Sequence, residues 1–299
     1  MQKLGLVFTP NEALSWQKTH IQNPTPIQLT DDVFRVFFAS RDINNISRPG
    51  YFDLDMKNPF GPKKISNAPL LDIGELGAFD DCGVMPHSIL KIGNQYVMYY
   101  TGWSKSVTVA FSFHIGIAVS ETLNGPFFRY SKAPVIGRNH FDPFIVGAPY
   151  VLKSGTHFTM LYVSCIKWVA NPNHSTQHFY TIKTAHSHDG FHWEPEPDVA
   201  IGLAPNEHSI ARPVIYKNKE EFELWFSFRG GEKPYSLGYA TSNDLKSWQR
   251  NPQVFEPTNN GAWDGDMLCY GYPFDYLNKK HLLYNGNSYG KAGCGLAIL

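Results

Sequence analysis

Four acids and one histidine recur at one place in an internal repeat. His20, Asp80, Asp142, Glu207 and Asp266 each stand six or seven residues ahead of a proline: Pro26, Pro86, Pro149, Pro213 and Pro273. Asp81 and Asp264 lie beside two of them. Carboxylates gathered in a concave site can carry glycosyl transfer. One protonates the leaving oxygen, a second acts as base or nucleophile, and their separation sets the stereochemistry. Crowding raises the pKa of one acid and so supplies the proton donor. A solitary loop aspartate ordinarily caps a turn. Recurrence at matched positions is what makes these residues candidates.

Further polar groups fall at the same end of the repeat. Arg41 and Asp42 follow the second strand of the first unit, and Trp103, Trp168 and Arg229 follow that strand in the next three. Arg212 directly precedes Pro213, and His87 follows Pro86. Indole faces stack on sugar rings, and guanidinium forks bind hydroxyls or carboxylates. The expected catalytic set is Glu207, Asp142, Asp81 and Asp266. The expected binding set is Arg41, Asp42, His87, Trp103, Trp168, Arg212, Arg229, Asp80, Asp264 and His20. Asp81, Asp142, Glu207, Asp266, Arg41 and Arg212 are expected in one central cavity.

The elements that position them repeat five times, with prolines about 60 to 64 residues apart. A proline opens a first strand, where it forfeits no ladder bond that matters. An aromatic-rich second strand follows: Phe34–Phe38, Tyr96–Tyr100, Phe158–Tyr162, Phe222–Phe226 and His281–Tyr284. Such runs suit a strand buried on both faces. A third strand carries Gly50, Gly116, Ala185, Gly238 or Gly295, small residues that let sheets approach closely. Two third strands run into similar turns, Ser187-His188-Asp189-Gly190-Phe191-His192-Trp193 and Ser242-Asn243-Asp244-Leu245-Lys246-Ser247-Trp248.

Five such units predict an all-β fold, a five-bladed β-propeller forming a single domain over residues 1–299. The last unit ends at Leu299 without an outer strand. The apolar segment Leu4–Phe8 is expected to supply it and close the ring, hiding both sheet edges.

Composition narrows the function. The 299 residues are 42% hydrophobic and 15% aromatic, which is globular, and 26 basic side chains cancel 26 acidic ones. Bulk charge therefore holds neither nucleic acid nor an anionic membrane. No apolar run reaches the roughly 18 residues of a membrane span. The first residues lack the shape of a signal peptide, so a cytoplasmic location is expected. The four cysteines, Cys82, Cys165, Cys269 and Cys294, form no CxxC pair and read as reduced thiols. No nucleotide or zinc motif occurs, and no cofactor is expected. A cation held by hub carboxylates would be calcium, by its preference for hard oxygen ligands. The expected partner is a small-molecule or oligosaccharide substrate.

These residues resemble the five-bladed propeller clans of glycosidases, which include the arabinanase and β-xylosidase, invertase and levansucrase, and mannoside phosphorylase families. The segments Phe37–Asp42, Phe79–Pro86, Ala211–Pro213 and Trp263–Met267 resemble a glycosidase-like group tied to bacterial surface-polysaccharide synthesis. The resemblance implies a glycoside hydrolase or glycosyl-transferring enzyme. It matches Asp80 or Asp81 to the second-blade acid, Asp142 to the third-blade acid and Glu207 to the later Glu, the proton donor. The furanosidase-type families also place an Asp at the start of the first blade. Here that stretch reads His20-Ile21-Gln22-Asn23-Pro24, without a carboxylate. The missing role then falls to His20, to Asp266, or to a phosphate nucleophile held by Arg41 and Arg212.

Two other readings stand beside this one. The Ser-x-Asp-Gly-x-x-Trp turn resembles the Asp-box of sialidases, whose acidic sugar three arginines could grip. A non-catalytic sugar-binding propeller would keep the tryptophans and arginines without needing the acids. Two carboxylates facing one cavity favour an enzyme, and acids locked in local bonds favour a binder.

Overall fold

A computed structural model describes residues 1–172, 175–218 and 220–299. The protein is an all-β propeller of three hydrogen-bonded sheets; its antiparallel pairings fall into five successive groups, two junctions being bridged by single parallel pairs, Ser47 with Gly83 and Tyr180 with Ser209. The N-terminal strand β1 (Gln2–Phe8) belongs to the last group. The first blade holds β2 (Thr19–Gln28), β3 (Val33–Arg41) and β4 (Ser47–Asp55), with Ile65 bridging Phe52 at its outer edge. The second holds β5 (Gly83–Ile92), β6 (Gln95–Ser104), β7 (Ser112–Ser120) and β8 (Phe128–Arg129). The third holds β9 (Val146–Ser154), β10 (His157–Ala170), β11 (Thr176–Ser187) and β12 (Glu194–Ile201). The fourth holds β13 (Glu207–Lys217), β14 (Phe222–Gly230), β15 (Ser236–Ser242) and β16 (Gln249–Phe255). The fifth holds β17 (Cys269–Tyr276), β18 (Lys279–Asn285) and β19 (Cys294–Ile298), completed by β1.

The first strands touch in a closed cycle, β2 to β5 to β9 to β13 to β17 and back to β2. Closure comes from β1, which pairs antiparallel with β19 from Gln2 opposite Ile298 to Phe8 opposite Cys294. The expected role of Leu4–Phe8 is therefore met, and the last blade presents no bare third strand.

The aromatic second strands build the core because successive residues face opposite sides of a sheet. In β6, Val97 and Tyr99 pack into the seam with the third blade. Met98 and Tyr100 pack into the seam with the first. β18 does the same, with Leu282 and Tyr284 toward the fourth blade and Leu283 toward the first. A second strand thus buries apolar residues on both faces, as its composition suggested, with Arg35 and Glu223 buried as ion-paired exceptions.

The small third-strand residues answer to rings. A Cβ on Gly116 would collide with the Tyr100 and Phe79 rings, and one on Gly295 with the Trp263 indole. The two Asp-containing turns have the same construction. Ser187 Oγ accepts from the amides of Asp189 and Gly190, and Asp189 Oδ1 from those of Phe191 and His192. Ser242 and Asp244 repeat the pattern. These turns join third strands to outer strands. Gly116→Ala is expected to destabilise the protein by about 1–3 kcal/mol through overpacking. Urea denaturation measures this, and an unchanged midpoint would show that the rings yield freely.

Candidate functional site

The first strand of each blade carries at least one residue more than the second strand paired with it, and β2 and β13 carry a further one near their starts. The register slips between Gln22 and Thr25, Pro86 and Ser88, Gly147 and Tyr150, Ala211 and Val214, and Cys269 and Tyr272. A bulge of this kind re-aims a side chain out of the pleat. The slips contain Asn23, His87, Ala148, Arg212 and Tyr270, and all five line one central cavity of about 280 Å³.

Four of the five have left-handed backbone: φ is 56° at Asn23, 50° at Ala148, 55° at Arg212 and 56° at Tyr270. Non-glycine residues held this way cost roughly 1–3 kcal/mol each and cluster at functional sites. The bulged amides are met from the preceding blade. Ala148 N–H donates to Thr101 Oγ1 at 2.8 Å, Tyr270 N–H to Ser227 Oγ at 2.8 Å, and Asn23 N–H to Asn285 Oδ1 at 3.0 Å.

Three arginines reach this cavity. Arg212 is only 1% exposed. Its Nη2 donates to Pro24 O and Thr25 Oγ1, each at 3.0 Å, tying the fourth blade to the first. Its Nη1 lies 3.3 Å from His87 Nδ1. Arg229 donates to Tyr289 Oη at 3.2 Å, approaches His178 Nε2 at 3.0 Å and lies over the Tyr235 ring. Arg41 donates to Gln22 Oε1 at 2.9 Å and to Asn45 Oδ1 at 2.8 Å, and stands over the Trp103 indole.

An arginine only donates, so His87 Nδ1 and His178 Nε2 are acceptors and both rings are neutral. Burial is the main cause, followed by the neighbouring guanidinium. Together they hold His87 well below the usual histidine range and His178 at about 3. Burial also lowers Arg212 to about 10, which leaves it cationic at neutral pH.

The wall is aromatic. Trp103 packs edge-on against Phe111 and Phe113 beneath the rim. Tyr180, Tyr235, Tyr270 and Tyr289 line the rest. Tyr289 is carried by the turn Asn287–Gly290, in left-handed backbone at φ 61°.

The acids of the expected catalytic set stand outside this cavity. Asp80, 0% exposed, accepts from Tyr100 Oη at 2.9 Å and pairs with Arg129 Nε at 2.8 Å. Asp142, also 0% exposed, accepts from Tyr162 Oη and Ser164 Oγ and pairs with Lys183 at 3.3 Å. Asp264 accepts from Tyr284 Oη and pairs with Lys3 on the closing strand, each at 2.8 Å. Glu207 gives both oxygens to Arg250 on the outer strand, at 2.8 and 2.9 Å. Each acid fastens the loop ahead of a blade to that blade's own strands. Asp81 accepts from the Gly77 amide. Asp266 is exposed and clipped to Asn287.

No carboxylate is among the residues lining the cavity. Of the six residues expected to share it, only Arg41 and Arg212 do. His87, Trp103 and Arg229 join them as expected, whereas the other binding candidates do not. Asp42 caps its own turn and pairs with Arg48. Trp168 backs Phe111 and His178 from outside. His20 is buried beside Thr19. Asp80 and Asp264 are held as just described. Among the described residues no group of three His, Cys, Asp or Glu is placed to hold a metal ion. Among the described residues no helix is long and apolar enough to cross a membrane.

No family model matches the sequence. Two proteins of Mycobacterium tuberculosis, "Uncharacterized protein Rv1502" of strain H37Rv and "Uncharacterized protein MT1551" of strain CDC 1551, are each 35% identical to it over 300 residues. The match covers 100% of this sequence and 98% of each of them. This protein belongs to their family.

Solved structures share the fold of this family at low identity. A "Glycoside hydrolase" superposes with a TM-score of 0.77 at 13% identity, over 99% of this protein and 91% of its own length. A "thermostable family-43 glycoside hydrolase" gives 0.66 at 16% identity, over 94% and 89%. The "endo-arabinase from Bacteroides thetaiotaomicron" gives 0.63 at 13% identity, over 94% of each.

Sequence reasoning missed Gln22, Asn23, His178, Tyr180, Tyr235, Tyr270 and Tyr289. The signal for Asn23 and Tyr270 was present, since each lies within three residues of a repeat proline. Tyr289 and Tyr235 come from loops that carry no repeat mark.

Asp142→Asn removes the counter-charge of buried Lys183 and is expected to cost about 3–5 kcal/mol in chemical denaturation. A loss under 1 kcal/mol would show that Lys183 finds another partner. The neutral histidines set a pH dependence. Their folded pKa values lie below the unfolded value, so the unfolded state takes up more protons on acidification. Their contribution is full above about pH 6.5 and is lost as pH falls toward about 3. Stability at pH 5 is therefore expected to be lower than at pH 7, and the loss should shrink in His178→Gln.

Proposed function

We propose that the central cavity is a carbohydrate-recognition site. The observation that carries this reading is one cavity where all five blades converge, walled by aromatic rings and lined by arginine and neutral histidine. Trp103 and the tyrosines offer faces for a sugar ring, and the arginines and Gln22 offer hydrogen bonds to its substituents. Because every blade contributes, the ring works as one domain. The segments that resemble the glycosidase-like group support a role in bacterial surface-polysaccharide metabolism.

Glycosyl transfer is the second reading. The fold neighbours favour it, being described as glycoside hydrolases and an endo-arabinase. Its two-carboxylate form requires acids at the cavity. Glu207, Asp142, Asp81 and Asp266 are instead engaged in ion pairs and turns.

One pair of variants separates the readings. Under recognition alone, Trp103→Ala weakens saccharide binding while Glu207→Gln leaves it unchanged, with no turnover in either. Under glycosyl transfer with Glu207 as acid, Glu207→Gln lowers turnover by roughly 10²–10⁴-fold while binding persists. Calorimetric binding and reducing-sugar release, measured in parallel on the same glycosides, decide between them.

A further inference from the structure

Resting on the carbohydrate reading, we propose that the ligand of the central cavity is an anionic saccharide, one bearing a carboxylate or phosphate group. The distribution of charge carries the inference. Of the eight arginines in the sequence, Arg35, Arg48, Arg129 and Arg250 form ion pairs with carboxylates, and Arg138 stands outside the cavity. Arg41, Arg212 and Arg229 form no ion pair among the described residues, and these three meet in one cavity. The adjoining histidines are neutral acceptors and add no charge. The cavity therefore holds three cations and no counter-charge of its own.

Hydrogen-bond supply points the same way. Buried polar groups are nearly always paired, so each exception calls for an explanation. At this cavity Arg212 Nε, Arg229 Nε, His87 Nε2 and Tyr180 Oη are buried and find no hydrogen-bond partner among the described residues. The two guanidinium atoms and His87 Nε2 are donors, the last because His87 Nδ1 accepts from Arg212. The hydroxyl of Tyr180 can donate as well. Among the described residues, Asn23 Oδ1 is the one unmet group there that can only accept. A neutral sugar brings hydroxyls, each of which donates as well as accepts. An oxyanion group brings acceptors alone, and the planar fork of arginine matches carboxylate and phosphate. The strained backbone at Arg212 marks the same spot, because a fully buried, left-handed arginine persists only where its surroundings demand it.

The test is isothermal titration of the wild-type protein against matched pairs: glucose with glucuronate, galactose with galacturonate, and each neutral sugar with its 1-phosphate. Short oligosaccharides with and without uronate extend the panel. Inorganic phosphate and acetate serve as non-sugar controls. An acidic member is expected to bind at least 10-fold more tightly than its neutral counterpart, with affinity falling as salt rises. The uronate and phosphate arms identify which group is read. Arg229→Gln and Arg41→Gln are each expected to weaken that binding about 10- to 100-fold, the usual worth of a charged hydrogen bond. Arg212 also ties blades together, so Arg212→Lys, which keeps the charge, is its companion, with thermal melting as the folding control. Equal or tighter binding of the neutral partners overturns the anionic assignment and leaves the carbohydrate reading standing. Phosphate or acetate binding as tightly as any saccharide overturns the carbohydrate reading itself. Tight acidic-sugar binding that survives both Arg229→Gln and Arg41→Gln places the ligand elsewhere and also overturns the proposal.

Discussion

The first strand of every blade carries a bulge residue near its proline that its neighbour does not match, and the site follows from that surplus. A regular pleat would commit each residue of an inner strand to one inter-blade seam or the other. The extra residue belongs to neither, so its side chain is delivered to the axis. The arrangement costs left-handed backbone in four blades and frees amide groups that cannot reach water. Thr101, Ser227 and Asn285 satisfy three of those amides, each from the preceding blade. The hub is thus held by hydrogen bonds that cross blade boundaries, and the apolar seams beneath supply the stability that offsets its strain.

Charge is sorted by depth. The acids sit at the loops that lead into blades, each against a cation of its own blade: Asp80 with Arg129, Asp142 with Lys183, Glu207 with Arg250, Asp264 with Lys3. Those cations come from third and outer strands, so each pair closes the loop over the sheet. Arg41, Arg212 and Arg229, without an ion pair among the described residues, are left at the axis. A sequence of zero formal net charge thereby carries a locally positive hub. Bulk charge excluded polyanion binding without excluding a small anion in a cavity.

The fold was legible because its signals are local and repeated. Alternating aromatic strands, opening prolines and small third-strand residues recur five times, and the apolar Leu4–Phe8 fitted the one missing strand. The acids were legible as a repeat, and the structure places them in ion pairs outside the central cavity. Their meaning lay in a second pattern, a tyrosine one strand-pair downstream: Asp80 with Tyr100, Asp142 with Tyr162 and Asp264 with Tyr284, each 20 residues apart. An acid that recurs together with its own hydroxyl donor is a fastening. His87 and Arg212, noted for adjoining prolines, lay at the bulges and proved to line the cavity. His178 and Tyr289 could not be placed, since a long hairpin and an isolated turn bring them in.

A propeller fold hosts many chemistries, so function must be argued from the hub. The same residues bear the strain, the unmatched charge and the unmet donors. Arg212 combines all three: left-handed backbone, an unpaired and fully buried cation, and an Nε without a partner. A ligand that supplies acceptor oxygens relieves two of these at once, returning the charge and completing the hydrogen bonds. Binding free energy of that origin is tied to the folded ring, because the unfolded state solvates its arginines separately. The ligand then stabilises the fold by mass action, in proportion to the logarithm of its concentration over its dissociation constant.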